Sequence, residues 1–183
     1  MVVRRPRVRH HERVVPETER RSMTLAAALV GVVCVVAYAS VALLQILVWN
    51  PEAAVPGAAA HEVWRAVGDA GQGPPNWFVV GVIAMGPVFA VIFLVLFTVT
   101  DAGVWSTVAG YLGLLVAGMP GYVVASFGPG MGMADTYGIS GGDFSPGWFP
   151  LYAVSTLALL ALVAILVGAA VRSRRERAAL AAT

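Results

Sequence analysis

Few side chains in this sequence have the chemistry of a reactive site, and their spacing is loose. The histidines are His10, His11 and His61, and the one cysteine is Cys34. Glu62 adjoins His61, while Asp69, Asp135 and Asp143 follow further along. Imidazole and carboxylate together supply acid–base or metal chemistry, yet no fixed interval places these groups on one helix face. Solvated loop charge is the preferred reading. Met131 and Met133 flank Gly132, with Met119 upstream. Soft thioethers hold Cu(I), so His61, Met131 and Met133 are the only candidate metal ligands. Methionine also fills irregular gaps, and the expectation is no metal, no cofactor and no catalytic residue.

Several chemistries are absent from the pattern. There is no His-Glu-x-x-His, no Cys-x-x-Cys and no nucleotide-binding glycine loop. No histidine lies in a long apolar run, which excludes a haem held by histidines between transmembrane helices. With Cys34 alone, no intramolecular disulfide can form.

The elements that must position any site are apolar. Hydrophobic residues make up 58% of the 183 residues and charged residues 12%, against roughly 25% charged in soluble domains. Between Thr24 and Val171 the only charges are Glu52, Glu62, Arg65, Asp69, Asp101, Asp135 and Asp143, and all fall between apolar runs. Those runs, 24–49, 77–100, 102–127 and 147–171, are long enough as helices to cross the ~30 Å hydrocarbon layer. A helix satisfies its own backbone in lipid, and the runs do not alternate as barrel strands would. Trp49, Trp77, Trp105 and Trp148 stand near their ends, as interfacial tryptophans do. The expected fold is all-α: a polytopic membrane protein, a four-transmembrane-helix bundle with two extracytoplasmic loops, 50–76 and 128–146.

All twelve basic residues are arginine, which together with abundant Ala, Val and Gly suggests a GC-rich bacterial genome. Seven precede the first run and four follow the last, so the positive-inside rule puts both ends in the cytoplasm and the chain in the cell membrane. Residues 1–23 read as a disordered Arg-rich arm and 172–183 as a basic tail. The positive charge behind the net +2 is concentrated in these ends, an orientation signal with no nucleic-acid partner implied. A signal-peptide reading, with cleavage after Ala37-Tyr38-Ala39, is disfavoured because the apolar run continues through 41–48.

The loops differ. Residues 58–67 predict a short helix with Val63, Trp64 and Val67 on one face. Asp101 is expected to cap the third span. The glycines and prolines of 128–146 predict turns.

Small residues recur within the spans. Gly110, Gly113, Gly118 and Gly121 in the third, and Ala158, Ala161, Ala164 and Gly168 in the fourth, predict packing seams where helices approach closely. Pro87 and Pro120 predict bends, with hinges as the functional alternative. Tyr38, Ser40, Gln45, Tyr111, Ser126, Ser155 and Thr156 are the polar groups noted in the spans, and interhelical hydrogen bonds are their expected role.

The leading functional expectation is a non-catalytic integral membrane protein, an accessory or scaffold subunit. Its partners would be the lipid bilayer and other membrane subunits or itself. Two alternatives stand beside it. One is a transport or channel component for a small neutral or lipidic solute, with a cavity lined by Tyr111, Ser126 or Gln45. The other is an extracytoplasmic metal-binding protein or enzyme using the outer loops.

Overall fold

The structure, a computed structural model, describes residues 17–181. Its elements are α1 (Glu17–Leu44), a π turn (Gln45–Trp49), α2 (Asn50–Ala54), α3 (Ala60–Asp69), α4 (Trp77–Val99), α5 (Val104–Tyr137) and α6 (Trp148–Ala181), with no strand among the described residues. Four helical segments are long and apolar enough to cross a membrane: Glu17–Ala54, Trp77–Val99, Val104–Tyr137 and Trp148–Ala181. The fold is an all-α, four-helix membrane bundle. Its large apolar side chains point outward along every span, as expected where lipid is the solvent.

The bundle is sewn by small residues meeting aromatic rings. The buried stripe of α1 is Thr24, Ala28, Gly31, Val35, Ala39 and Ala42, a row at helical spacing. Gly31 faces the ring of Tyr111 from α5 so closely that a methyl group there would overlap it. Two turns further on the pattern reverses: Tyr38 of α1 lies over Gly118 of α5, where a Cβ would stand 2.6 Å from its ring. Because 31 pairs with 111 and 38 with 118, the two helices run in the same direction in one fixed register. Phe97 of α4 lies over Gly110 in the same way, 2.7 Å from a Cβ placed there. The Tyr111 hydroxyl donates to the Ala90 carbonyl at 2.9 Å, tying α5 to α4.

At the Arg-rich end, Arg21 Nε donates to Asp101 Oδ1 at 2.7 Å and the Thr24 hydroxyl lies 3.1 Å from the Ala102 carbonyl. Asp101 therefore does not cap α5. The N-cap is Gly103, and Asp101, at φ 49°, turns to Arg21. The guanidinium holds that carboxyl below its ordinary range, chiefly through this hydrogen bond. A depressed pKa in the folded state adds stability above the unfolded value and loses it as pH falls through the folded one. Both groups are exposed, so the effect is small and salt-screened. The Asp101→Asn variant is expected to lose the acid-side fall of the melting temperature that this pair causes. Equal slopes below pH 4 in the two proteins would refute it.

Four element boundaries differ from the sequence reading. The first span, expected to end at 49, continues as helix to Ala54. The helix begins at Glu17, inside the expected 1–23 arm, whose residues 1–16 lie outside the described residues. Glu17 and Glu19 occupy its first turn, where the helix dipole favours acids. Residues 172–181 of the expected tail continue α6, in a stretch rich in the good helix formers Arg and Ala. Finally, α5 continues through Gly128, Pro129, Gly130 and Gly132 to Tyr137, where turns are expected. Gly130 lies against the Gly141 carbonyl and Gly132 against the Gly73 carbonyl. These glycines allow returning loops to touch the helix, so packing outweighs their poor helix propensity. Gly138, at φ 65°, then ends α5 in the left-handed conformation.

The extra turns of α5 carry the cap opposite the Arg-rich end. Val63 and Val67 of α3 pack on Met133 in a small core of their own. Glu62 reaches back to the Ala59 amide at 2.9 Å and fixes the start of α3.

Candidate functional site: a buried polar clasp

The most chemically dense region lies where α1 enters the cap. One extra residue in the helical ladder makes the π turn, closed by the Asn50 amide bonding to the Gln45 carbonyl. Pro51 follows and lacks the amide that an α-helical ladder would bring to the Leu47 carbonyl. The Trp64 indole fills that role from α3, donating to Leu47 O at 2.9 Å.

The turn swings two amide side chains inward. Gln45 is fully buried, and its Nε2 donates to the Ser145 carbonyl at 3.2 Å and, at 3.5 Å, toward Asp143 Oδ1. Asn50 Oδ1 accepts from the amides of Phe144, at 2.6 Å, and Ser145, at 3.4 Å. From α5, the Tyr122 hydroxyl, 1% exposed as a residue, donates to Asp143 Oδ1 at 2.6 Å. Two segments distant in sequence, the π turn with Asn50 and the outer part of α5, thus converge on the loop between α5 and α6. Gln45 Oε1 has no donor among the described residues and is pressed against Gly147. Any side chain at Gly147 would strike it.

Chemically, this arrangement is a clasp. Tyrosine and glutamine satisfy one side of the Asp143 carboxylate while the residue stays exposed on the other. The groups hold a loop whose glycines could not hold themselves. Of its members, sequence reasoning singled out Gln45 and Asp143 but missed Asn50, Tyr122 and Ser145. The legible signals were Asn50 before Pro51 and a tyrosine in a span that carries no charge.

The other sequence candidates scatter. His61 is exposed on α3, Met133 is buried on Val63 and Val67, and Met131 is exposed beside Gly141. Two residues apart on one helix, the methionines face different ways. No three His, Cys, Asp or Glu gather to hold a metal among the described residues. Asp69 and Asp135 are exposed, and Asp143 belongs to the clasp. One pattern escaped the sequence reading: Gly138-Ile139-Ser140-Gly141-Gly142 has the form Gly-x-Ser-x-Gly. The nucleophile elbow of that form needs a strand before the serine and a helix after it. Here the segment follows the end of α5 as irregular loop.

The small-residue positions divide. Gly110 and Gly118 lie beneath rings, and Ala158 is buried, whereas Gly113, Gly121 and Gly168 have nothing within 4 Å of a Cβ, and Ala161 and Ala164 are exposed. Pro87 and Pro120 lie inside α4 and α5. Next to them, α1, α4 and α5 part around a cavity of about 200 Å³. None of Tyr111, Ser126 and Gln45 lines it. Tyr111 is spent on Ala90, Ser126 lies 3.3 Å from the Val123 carbonyl of its own helix, and Gln45 is in the clasp.

No protein-family model matches the chain, and no curated protein or solved structure matches it either.

Proposed function

We propose that the chain is a non-catalytic subunit of a larger assembly in the cell membrane, an accessory or scaffold protein with both ends in the cytoplasm. The observation that carries this reading is α6. Its first turns pack through Leu151, Ser155 and Ala158, and the Ser155 hydroxyl is shared between the Leu115 carbonyl at 2.8 Å and the Tyr38 hydroxyl at 3.2 Å. Beyond Ala158 no residue of the helix is buried; Ala161 and Ala164 are exposed, and nothing lies within 4 Å of a Cβ on Gly168, so these small residues form a shallow stripe. Small residues four apart are where a second helix approaches most closely in lipid. The polar groups of the spans that carry a hydrogen bond spend it inside this chain, which supports a structural role over a reactive one. The orientation rests on the arginines: Arg172, Arg174, Arg175 and Arg177 follow the apolar run of α6 in its last turns, against Arg65 alone between the spans.

Purification in mild detergent followed by native mass spectrometry tests this. A partner subunit, or a second copy, is expected to remain bound to the intact chain. Replacing Ala161 and Ala164 with leucine is expected to release it severalfold more readily while leaving the melting temperature unchanged, since neither residue is buried. A clean monomer under those conditions overturns the proposal.

A further inference from the structure

The cavity between α1, α4 and α5 sits where each helix is halfway through its apolar run. It is lined by Val35 and Tyr38 from α1, by Met85, Gly86 and Phe89 from α4, and by Gly118, Gly121 and their neighbours from α5. Its depth follows from the register: a Cβ on Gly86 would stand 3.5 Å from the Val35 side chain, and Tyr38 covers Gly118. Three of the lining positions carry no side chain, and Pro87 and Pro120 interrupt the hydrogen-bond ladder beside it. The volume, about 200 Å³, exceeds the ~150 Å³ cavity known to accept a benzene-sized ligand. The mouth lies between α4 and α5, because Met85, Phe89 and Ala117 on its rim are exposed.

We infer that this crevice is a binding site for the hydrocarbon chain of a bilayer lipid. Three features on the molecule select that occupant. The lining is almost wholly apolar, and its one side-chain hydroxyl, on Tyr38, is already engaged by Ser155. A resident water needs two to four polar partners, so the crevice does not suit water or a hydrophilic solute. The mouth opens at mid-span, at the depth of the ends of the acyl chains and far from either headgroup layer. A partner helix, about 10–12 Å across with its side chains, is too wide to enter. A single file of methylene groups fits. The inference does not rest on the subunit reading above, since α6 supplies no lining residue.

The test uses the full chain in phosphatidylcholine vesicles containing a trace of phosphatidylcholine with a diazirine near the end of one acyl chain. After illumination, adducts are mapped by mass spectrometry. Labelling of Met85, Phe89 and Ala117 is expected to exceed severalfold that of Leu159 and Leu160, which are exposed to lipid at similar depth on α6. Gly121→Leu points a side chain into open space in the crevice and is expected to abolish the excess. Gly113→Leu, equally unobstructed but outside the lining, is expected to leave it intact. Ala117→Leu at the rim provides a second blocking variant should Gly121→Leu fail to fold. Uniform labelling of crevice and α6, or an excess that survives both blocking variants, overturns the inference.

Discussion

Replacing Gly31 with leucine is expected to destabilise the bundle by about 3 kcal/mol or prevent its assembly, the upper part of the range for overpacking a core. The new Cβ would fall on the Tyr111 ring, whose Cδ2 stands 2.6 Å from that point. The ring has little room to move. Its hydroxyl is bonded to Ala90 O, and Phe93 and Phe97 meet it edge-on at 6.2 and 6.3 Å between centroids. Even Gly31→Ala should be destabilising, although alanine gains about 1 kcal/mol of helix propensity over glycine. Gly113→Ala, with nothing within 4 Å, should instead gain a few tenths of that amount. The decisive measurement is a double-mutant cycle by denaturant titration in micelles. Tyr111→Ala alone should cost about 3–5 kcal/mol. Combined with Gly31→Leu, it should cost less than the two losses summed, by about 0.5–3 kcal/mol. Strict additivity would mean that Gly31 and Tyr111 do not share this space, and the register assigned to α1 and α5 would be wrong.

How far the sequence reveals this architecture depends on the scale of the signal. A span is written in some twenty consecutive residues, so the four crossings are plain from hydropathy alone. A seam is written in which residue lies opposite which, and one strand of text does not contain that. Gly110 and Gly118 stand out as small residues at helical spacing, and both do receive a ring. Gly113, on the same helix with the same chemistry, receives nothing, because its face meets no neighbour. Ala161 and Ala164 likewise look like the buried Ala158 in sequence, but both are exposed, while Leu162 and Ile165 beside them are partly buried. The Gly128–Gly132 segment misleads for a related reason. Glycine signals a turn when considered locally and a close approach when another backbone lies above it, as the Gly141 and Gly73 carbonyls do here. The clasp was least legible of all. Gln45, Asn50, Tyr122 and Asp143 come from parts of the chain up to 98 residues apart, and only the π turn aims the first two at the 143–145 loop.

That clasp leads to the second large effect. Gly147→Ala is expected to destabilise the cap by about 2 kcal/mol or more, as overpacking of a tight site does. The added methyl would overlap Gln45 Oε1 and stand 2.8 Å from a ring carbon of Trp49. Gln45 is fully buried on the π turn, and its Nε2 is held by the Ser145 carbonyl. The loop must yield instead, lengthening the 3.2 Å bond from Gln45 Nε2 to Ser145 O and the Asn50 contacts beside it. The second change, Asn50→Leu, attacks the same loop without adding bulk at Gly147. It strands the Phe144 and Ser145 amides, and an unsatisfied buried donor costs about 1–3 kcal/mol. Hydrogen exchange separates a local failure from a global one. Both variants should speed exchange of the 138–147 amides while α4, which takes no part in the clasp, keeps its protection. Gln45→Ala clears the space that Gly147→Ala needs, so the double variant should lose less than the separate losses added together. Should Gly147→Ala melt like the parent and exchange no faster through 138–147, the π turn would not be holding that loop.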